Sequence, residues 1–119
     1  MNQTKLLLDT IVDGLQDKKG RNIVTIDLRE MSGAICQYMV VCEGNNPNQM
    51  AALSDSVWDM VNKKVHEKPI SIDGLRNSVW IGIDYGTIIV HIFLPEARAF
   101  YRLESLWEDS KITKIPDID

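Results

Sequence analysis

The chain has 119 residues, with 17 acidic and 13 basic side chains for a formal charge of −4, and is 45% apolar and 25% charged. That length suits one domain with a single core, and that balance excludes disordered and collagen-like chains. The longest uninterrupted apolar run, Tyr38–Cys42, is five residues, against the roughly 20 that a membrane-spanning helix needs. The opening MNQTKLLL lacks a secretory signal core, so a cytoplasmic protein with no membrane partner is expected. An acidic surplus argues against DNA or RNA as the main partner and for a basic protein surface.

Leu8, Ile11, Val12 and Leu15 recur at helical steps, which predicts an amphipathic helix over 4–19. Lys18 and Lys19 complement its negative end, and Gly20 is free to take positive φ there. Alternation from Ile23 to Leu28 predicts a strand. Arg29–Ala34 forms a polar connection, and Gln37–Cys42, apolar on both faces, predicts an interior strand. Asn46 is placed to cap a second helix, Pro47 to open it and Gln49 to reach back as in a capping box. Met50, Leu53, Val57, Met60 and Val61 form that helix's buried stripe. Pro69 and Gly74 bracket a stretch without clear periodicity beyond Ile70 and Ile72.

Val79–Leu94 reads as two strands joined at Tyr85-Gly86, a β-hairpin. Pairing Asp84 with Thr87 places Trp80 opposite His91. One face is then aliphatic (Val79, Ile81, Ile83, Ile88, Val90, Ile92, Leu94) and must be core. The other collects Trp80, Gly82, Asp84, Thr87, Ile89, His91 and Phe93. A third helix is expected from Pro95 to Trp107, with Ala97, Phe100, Leu103 and Leu106 or Trp107 on its apolar side. The stretch 111–119 is a C-terminal tail that docks as an extended arm or stays loose, leaving 1–110 as the domain. The order α-β-β-α-β-β-α predicts an α+β, or mixed α/β, domain with helices against a small mixed sheet.

Chemistry finds few anchors. Cys36 and Cys42 flank a strand that would hold them roughly 20 Å apart, too far for a disulfide, so both are expected as buried thiols. No CxxC, HExxH or Cys/His cluster supports a metal. No GxSxG, GxGxxG or GxxxxGK[ST] supports a nucleophile or a phosphate cradle. Asp84 and His91 share a face but sit several steps apart. The Gly44-Asn45-Asn46 turn is read as a capping turn. Trp80, Tyr85, His91, Phe93, Arg98 and Tyr101 cluster in or just after the hairpin, and such anchors favour a protein interface. Tyr85, placed in the turn, gains little from the protein's own core in this reading.

The run VWIGIDYGTIIVHIFLPEARAFYRLESLW, residues 79–107, resembles the signature of the RsfS/Iojap family of ribosomal silencing factors, W-[IV]-x-[IVL]-D-[YL]-G-x-[IV]-[IV]-V-H-[IV]-F followed by E-x-R-x-[FL]-Y-x-L-E-x-L-W. The likeness extends more loosely over nearly the whole chain. It implies a fold with a nucleotidyltransferase-like core, no catalysis and no cofactor. It implies binding to the large ribosomal subunit through the fourteenth universal protein of that subunit, beside ribosomal RNA. It implies that joining of the small subunit is blocked and translation damped when nutrients are scarce. Carried over by position, Trp80 and Tyr85 are interface anchors, supported by Asp84, His91, Phe93, Glu96, Arg98 and Tyr101. Gln37 stands where many members have Asp, and Asn46 where many have Ser; the first change removes a carboxylate that catalysis would want. A nucleotide-dependent enzyme and a homodimeric scaffold are the alternatives.

Overall fold

The computed structural model describes residues 3–118. Gln3–Asp17 winds into the first helix, α1, burying Leu7, Leu8, Ile11 and Leu15, with Val12 half-buried at the margin. The left-handed residue at its exit is Lys19, φ 59°, rather than Gly20. Gly20 answers to packing instead: a Cβ there would lie 2.5 Å from the Cys42 sulfur. The strands β1 (Arg21–Asp27) and β2 (Tyr38–Glu43) follow, then the helix α2 (Pro47–Lys64). Asn46 caps α2 by accepting the Gln49 N–H at 2.8 Å. The Gln49 side chain reaches back to accept the Asn45 N–H at 2.7 Å, one residue beyond the N-cap N–H of a capping box. It also donates to the carbonyls of Lys18 and Lys19, tying the start of α2 to the exit of α1.

The aperiodic stretch contains a short strand, β3 (Ser71–Asp73), and the hairpin supplies β4 (Trp80–Asp84) and β5 (Ile88–Phe93). The register differs from expectation by two residues: Trp80 faces Phe93, Gly82 faces His91 and Asp84 faces Ile89. The turn is centred on Gly86-Thr87, with Gly86 at φ 87° and the Tyr85 N–H bonded to the Ile88 carbonyl at 2.9 Å. Tyr85 therefore directly follows the strand instead of forming the turn. A shift of two keeps every strand side chain on its face, because the side-chain period is two.

The third helix is shorter than expected. α3 covers Pro95–Tyr101 and stops where Arg102 turns left-handed, φ 48°; a 3₁₀ turn, Leu103–Trp107, replaces the rest. Phe100, assigned above to the apolar side, is 78% exposed; of Leu106 or Trp107 it is Trp107 that packs on the sheet, while Leu106 is 70% exposed. The stretch read as a tail supplies β6 (Lys111–Lys114), antiparallel to β1.

The sheet is six-stranded, in the order β3-β4-β5-β2-β1-β6. β2 and β5 run parallel at its centre, and all other pairs are antiparallel. The mixed α+β architecture expected from the pattern is the one observed. One face packs Ile81, Ile83, Ile88, Val90 and Ile92 against α1 and α2. The other packs Val24, Ile26, Met39, Val41 and Phe93 under Ala97, Leu103 and Trp107. Cys36 and Cys42 are both free and buried.

Between β3 and β4 the chain doubles back at Gly74, φ 90°, where a Cβ would sit 1.9 Å from the Trp80 carbonyl oxygen. Gly74→Ala is expected to destabilise the fold by about 2 kcal/mol or more, since positive φ alone costs an L-residue about 1–2 kcal/mol. Urea denaturation of the variant measures it.

Candidate functional site

α3 and the 3₁₀ turn cover only the β1–β2–β5 part of their face. Across β3, β4 and the near side of β5 that face lies open. Directly opposed residues share a face of an antiparallel ladder, so Ser71 and Asp73 stand beside Asp84 and Gly82, with Ile89 and His91 on the far side. Together with Gly74 and Trp80 they line a hollow of about 440 Å³. Its floor is Gly82, where an added Cβ would meet nothing within 4 Å.

Trp80 stands at the boundary between the covered and open parts. Its ring lies 4.8 Å from Phe93 and 4.7 Å from Tyr101, centroid to centroid. Phe100 then meets Tyr101 edge-on at 5.0 Å. Phe93 is sealed beneath, while Tyr101 and Phe100 are 51% and 78% exposed. Buried floor, half-buried Trp80 and exposed outer rings form one aromatic stack that surfaces at the end of α3.

His91 fixes the indole. The Trp80 N–H donates to Nδ1 of His91 at 3.0 Å, which places the imidazole proton on Nε2. That Nε2 is buried without a hydrogen-bond partner. Burial pulls the imidazole's pKa down to about 4, so the ring is neutral at physiological pH. With one nitrogen engaged and the other buried, His91 presents no nitrogen for proton transfer. Asp84 is occupied separately, its Oδ1 accepting the Gly86 N–H at 2.7 Å. The pairing of Asp84 with His91 as acid and base does not form. Among the described residues no group of three or more His, Cys, Asp or Glu is placed to hold a metal ion, and no helix is long and apolar enough to cross a membrane.

A family model described as "Ribosomal silencing factor during starvation" matches residues 1–119. The chain belongs to the ribosomal silencing factor family. A relative in Zymomonas mobilis, "Ribosomal silencing factor RsfS", is 36% identical over 110 residues, covering 89% of this chain and 81% of its own. A crystal structure of a protein from Chromobacterium violaceum superposes with a TM-score of 0.83 at 28% identity, covering 91% of this chain and 88% of that one. A more distant mouse relative, "Mitochondrial assembly of ribosomal large subunit protein 1", is 29% identical, covering 87% of this chain and 46% of its own.

The silencing-factor signature thus lies on β4, the turn, β5, α3 and the 3₁₀ turn, and its residues divide by position. Trp80, Asp84 and His91 line the hollow, Tyr101 packs on Trp80, and Glu96 is exposed in the first turn of α3. Three candidates point elsewhere. Tyr85, expected at the turn and exposed, is 5% exposed: as the residue directly after β4 it continues the aliphatic face of Ile81 and Ile83 and packs into the main core. Phe93 is fully buried. Arg98 is an internal tie, its guanidinium paired with Glu43 at 3.1 Å and Glu104 at 3.2 Å and also donating to the Asn22 carbonyl. Sequence reasoning missed Ser71, Asp73 and Phe100. Ile72 between polar neighbours was the only signal for β3, and nothing in the helical period announced the break at Arg102.

Two stability measurements follow from these placements. The Tyr85 hydroxyl is buried with no partner, and burial, with the Glu67 carboxylate adding, pushes its pKa up to about 12. Tyr85→Phe removes that unmet group and should leave stability unchanged or raise it by about 1 kcal/mol. Tyr85→Ala should cost about 3–5 kcal/mol, as for a large aromatic cut from a core. For His91, the unfolded imidazole takes a proton near pH 6.5 and the folded one only near 4. The unfolded state therefore binds more protons in that window, and stability falls as pH drops through it. Between pH 7 and pH 5 the protein should lose about 1–2 kcal/mol that His91→Asn does not lose, read by denaturant titration at the two pH values.

Proposed function

We propose that this protein silences translation without catalysis, by binding the large ribosomal subunit and excluding the small one. In this reading it docks on the fourteenth universal protein of the large subunit, at the face where the subunits meet, in the cytoplasm and under nutrient limitation. The observation that carries the reading is the aromatic stack from Phe93 through Trp80 and Tyr101 to the exposed Phe100, beside a hollow edged by the carboxylates of Asp73 and Asp84. Clustered aromatic anchors are where binding energy concentrates in protein interfaces. Flanking carboxylates and a charge of −4 favour encounter with a basic ribosomal protein.

Membership of the silencing-factor family supports the regulatory role, and the name of the mouse relative supports the large subunit as the partner. The engaged and buried nitrogens of His91 support a non-catalytic mode. An interface of ordinary size buries about 800 Å² on each partner, and a bound protein of that footprint acts by occupying the joining face.

Phe100 and Tyr101 allow a test that spares the fold, because both rings are largely exposed. Phe100→Ser should change stability by less than about 1 kcal/mol, and Tyr101→Ser, which loses the ring contact with Trp80, should cost about 1–2 kcal/mol. The double variant should co-sediment with isolated large subunits at least roughly tenfold more weakly than the wild type. Undiminished co-sedimentation of the double variant would remove the α3 end from the interface. Wild-type protein that pellets with neither subunit would remove the proposed function.

A further inference from the structure

Gly82 is an interruption that the fold does not require. It lies mid-strand in β4, and an added Cβ would meet nothing within 4 Å. Glycine there weakens a strand relative to any residue with a side chain. What the missing side chain creates is space between large neighbours: Trp80 and Asp84 along the strand, Asp73 opposite on β3 and His91 opposite on β5. Glycine in such a position often marks a close approach by a ligand or another chain.

The walls select the chemistry of an occupant. Asp73 and Asp84 are not ion-paired among the described residues, and no lysine or arginine lines the hollow. Asp84 spends one oxygen on the Gly86 N–H and keeps the other. His91 is neutral and adds no competing cation. The Trp80 indole, held in place by its hydrogen bond to His91, offers an aromatic wall. Two carboxylates and an indole around one side-chain-sized gap match a planar cation, which stacks on the ring and pairs with the carboxylates. Arginine meets both requirements better than lysine, whose ammonium is compact and strongly hydrated.

We propose that the Gly82 hollow is the seat of a single arginine side chain of the protein partner, stacked on Trp80 and paired with Asp84 and Asp73. This rests on the docking reading above and deepens it: the aromatic rings supply the apolar contact, and the hollow reads one cation.

The test is co-sedimentation of the full chain with isolated large subunits across a series of salt concentrations, with folding checked by circular dichroism. Gly82→Val fills the gap with a residue that strands favour, leaves the charge unchanged, and should weaken binding roughly tenfold or more. Asp73→Asn combined with Asp84→Asn preserves shape and should weaken binding to a similar degree, with a flatter dependence on salt. Wild-type affinity in Gly82→Val would overturn the subsite, as would loss in Gly82→Val with wild-type affinity in the Asn pair, which would mean an apolar occupant. If Gly82→Val fails to fold, the Asn pair decides alone: wild-type affinity and salt dependence in it overturn the cation. Failure of the wild type itself to pellet would strike the large-subunit reading, and the subsite with it, and so is told apart from failure of the subsite alone.

Discussion

The parallel pair β2 and β5 lies at the centre of the sheet and carries apolar side chains on both faces, Val40 and Val90 on one and Val41 and Phe93 on the other. Such a pair is stable only where both faces are kept from water. On one side α1 and α2 suffice, being 15 and 18 residues long. On the other side the cover is the seven-residue α3 and a five-residue 3₁₀ turn. That shorter cover protects the central strands and leaves the β3–β4 edge bare. The exposed region is thus a consequence of how far the second layer reaches.

Arg98 holds this second layer in place. One guanidinium joins Glu43 at the end of β2, the Asn22 carbonyl at the start of β1 and Glu104 in the 3₁₀ turn. Those contacts span both sides of the left-handed break at Arg102, so the cover stays docked although its helix is interrupted. Phe100, in the last turn of α3, is left exposed. A continuous helix over Pro95–Trp107 would have carried the helical period further and altered which rings reach the surface.

Within the open region, rigidity comes from a neutral histidine. Its Nδ1 accepts the hydrogen bond of the Trp80 indole N–H, and burial disfavours the charged imidazolium that would lose this acceptor. The aromatic stack, anchored at Phe93 in the core and emerging at Tyr101 and Phe100, is therefore set before a partner arrives, which limits the ordering cost on binding. In the proposed interface, carboxylates at the rim would add direction and specificity.

Local pattern carried much of this into the sequence. Helical spacing marked α1 and α2, Asn46 and Pro47 marked the start of α2, and alternation in the hairpin assigned each side chain to its face even though the expected register was off by two. The run 79–107 identified the family. Other features depended on contacts between distant residues. Tyr85 became core because the turn closed at Gly86-Thr87, a choice between loops that local alternation permits equally. Asp73 joined the hollow because three residues of β3 paired with β4, too short a segment for periodicity to show. Arg98 became an internal tie because Glu43 lies 55 positions earlier. Period and capping are properties of neighbours along the chain, whereas register, exposure and ion pairing are settled when strands and helices from remote positions meet.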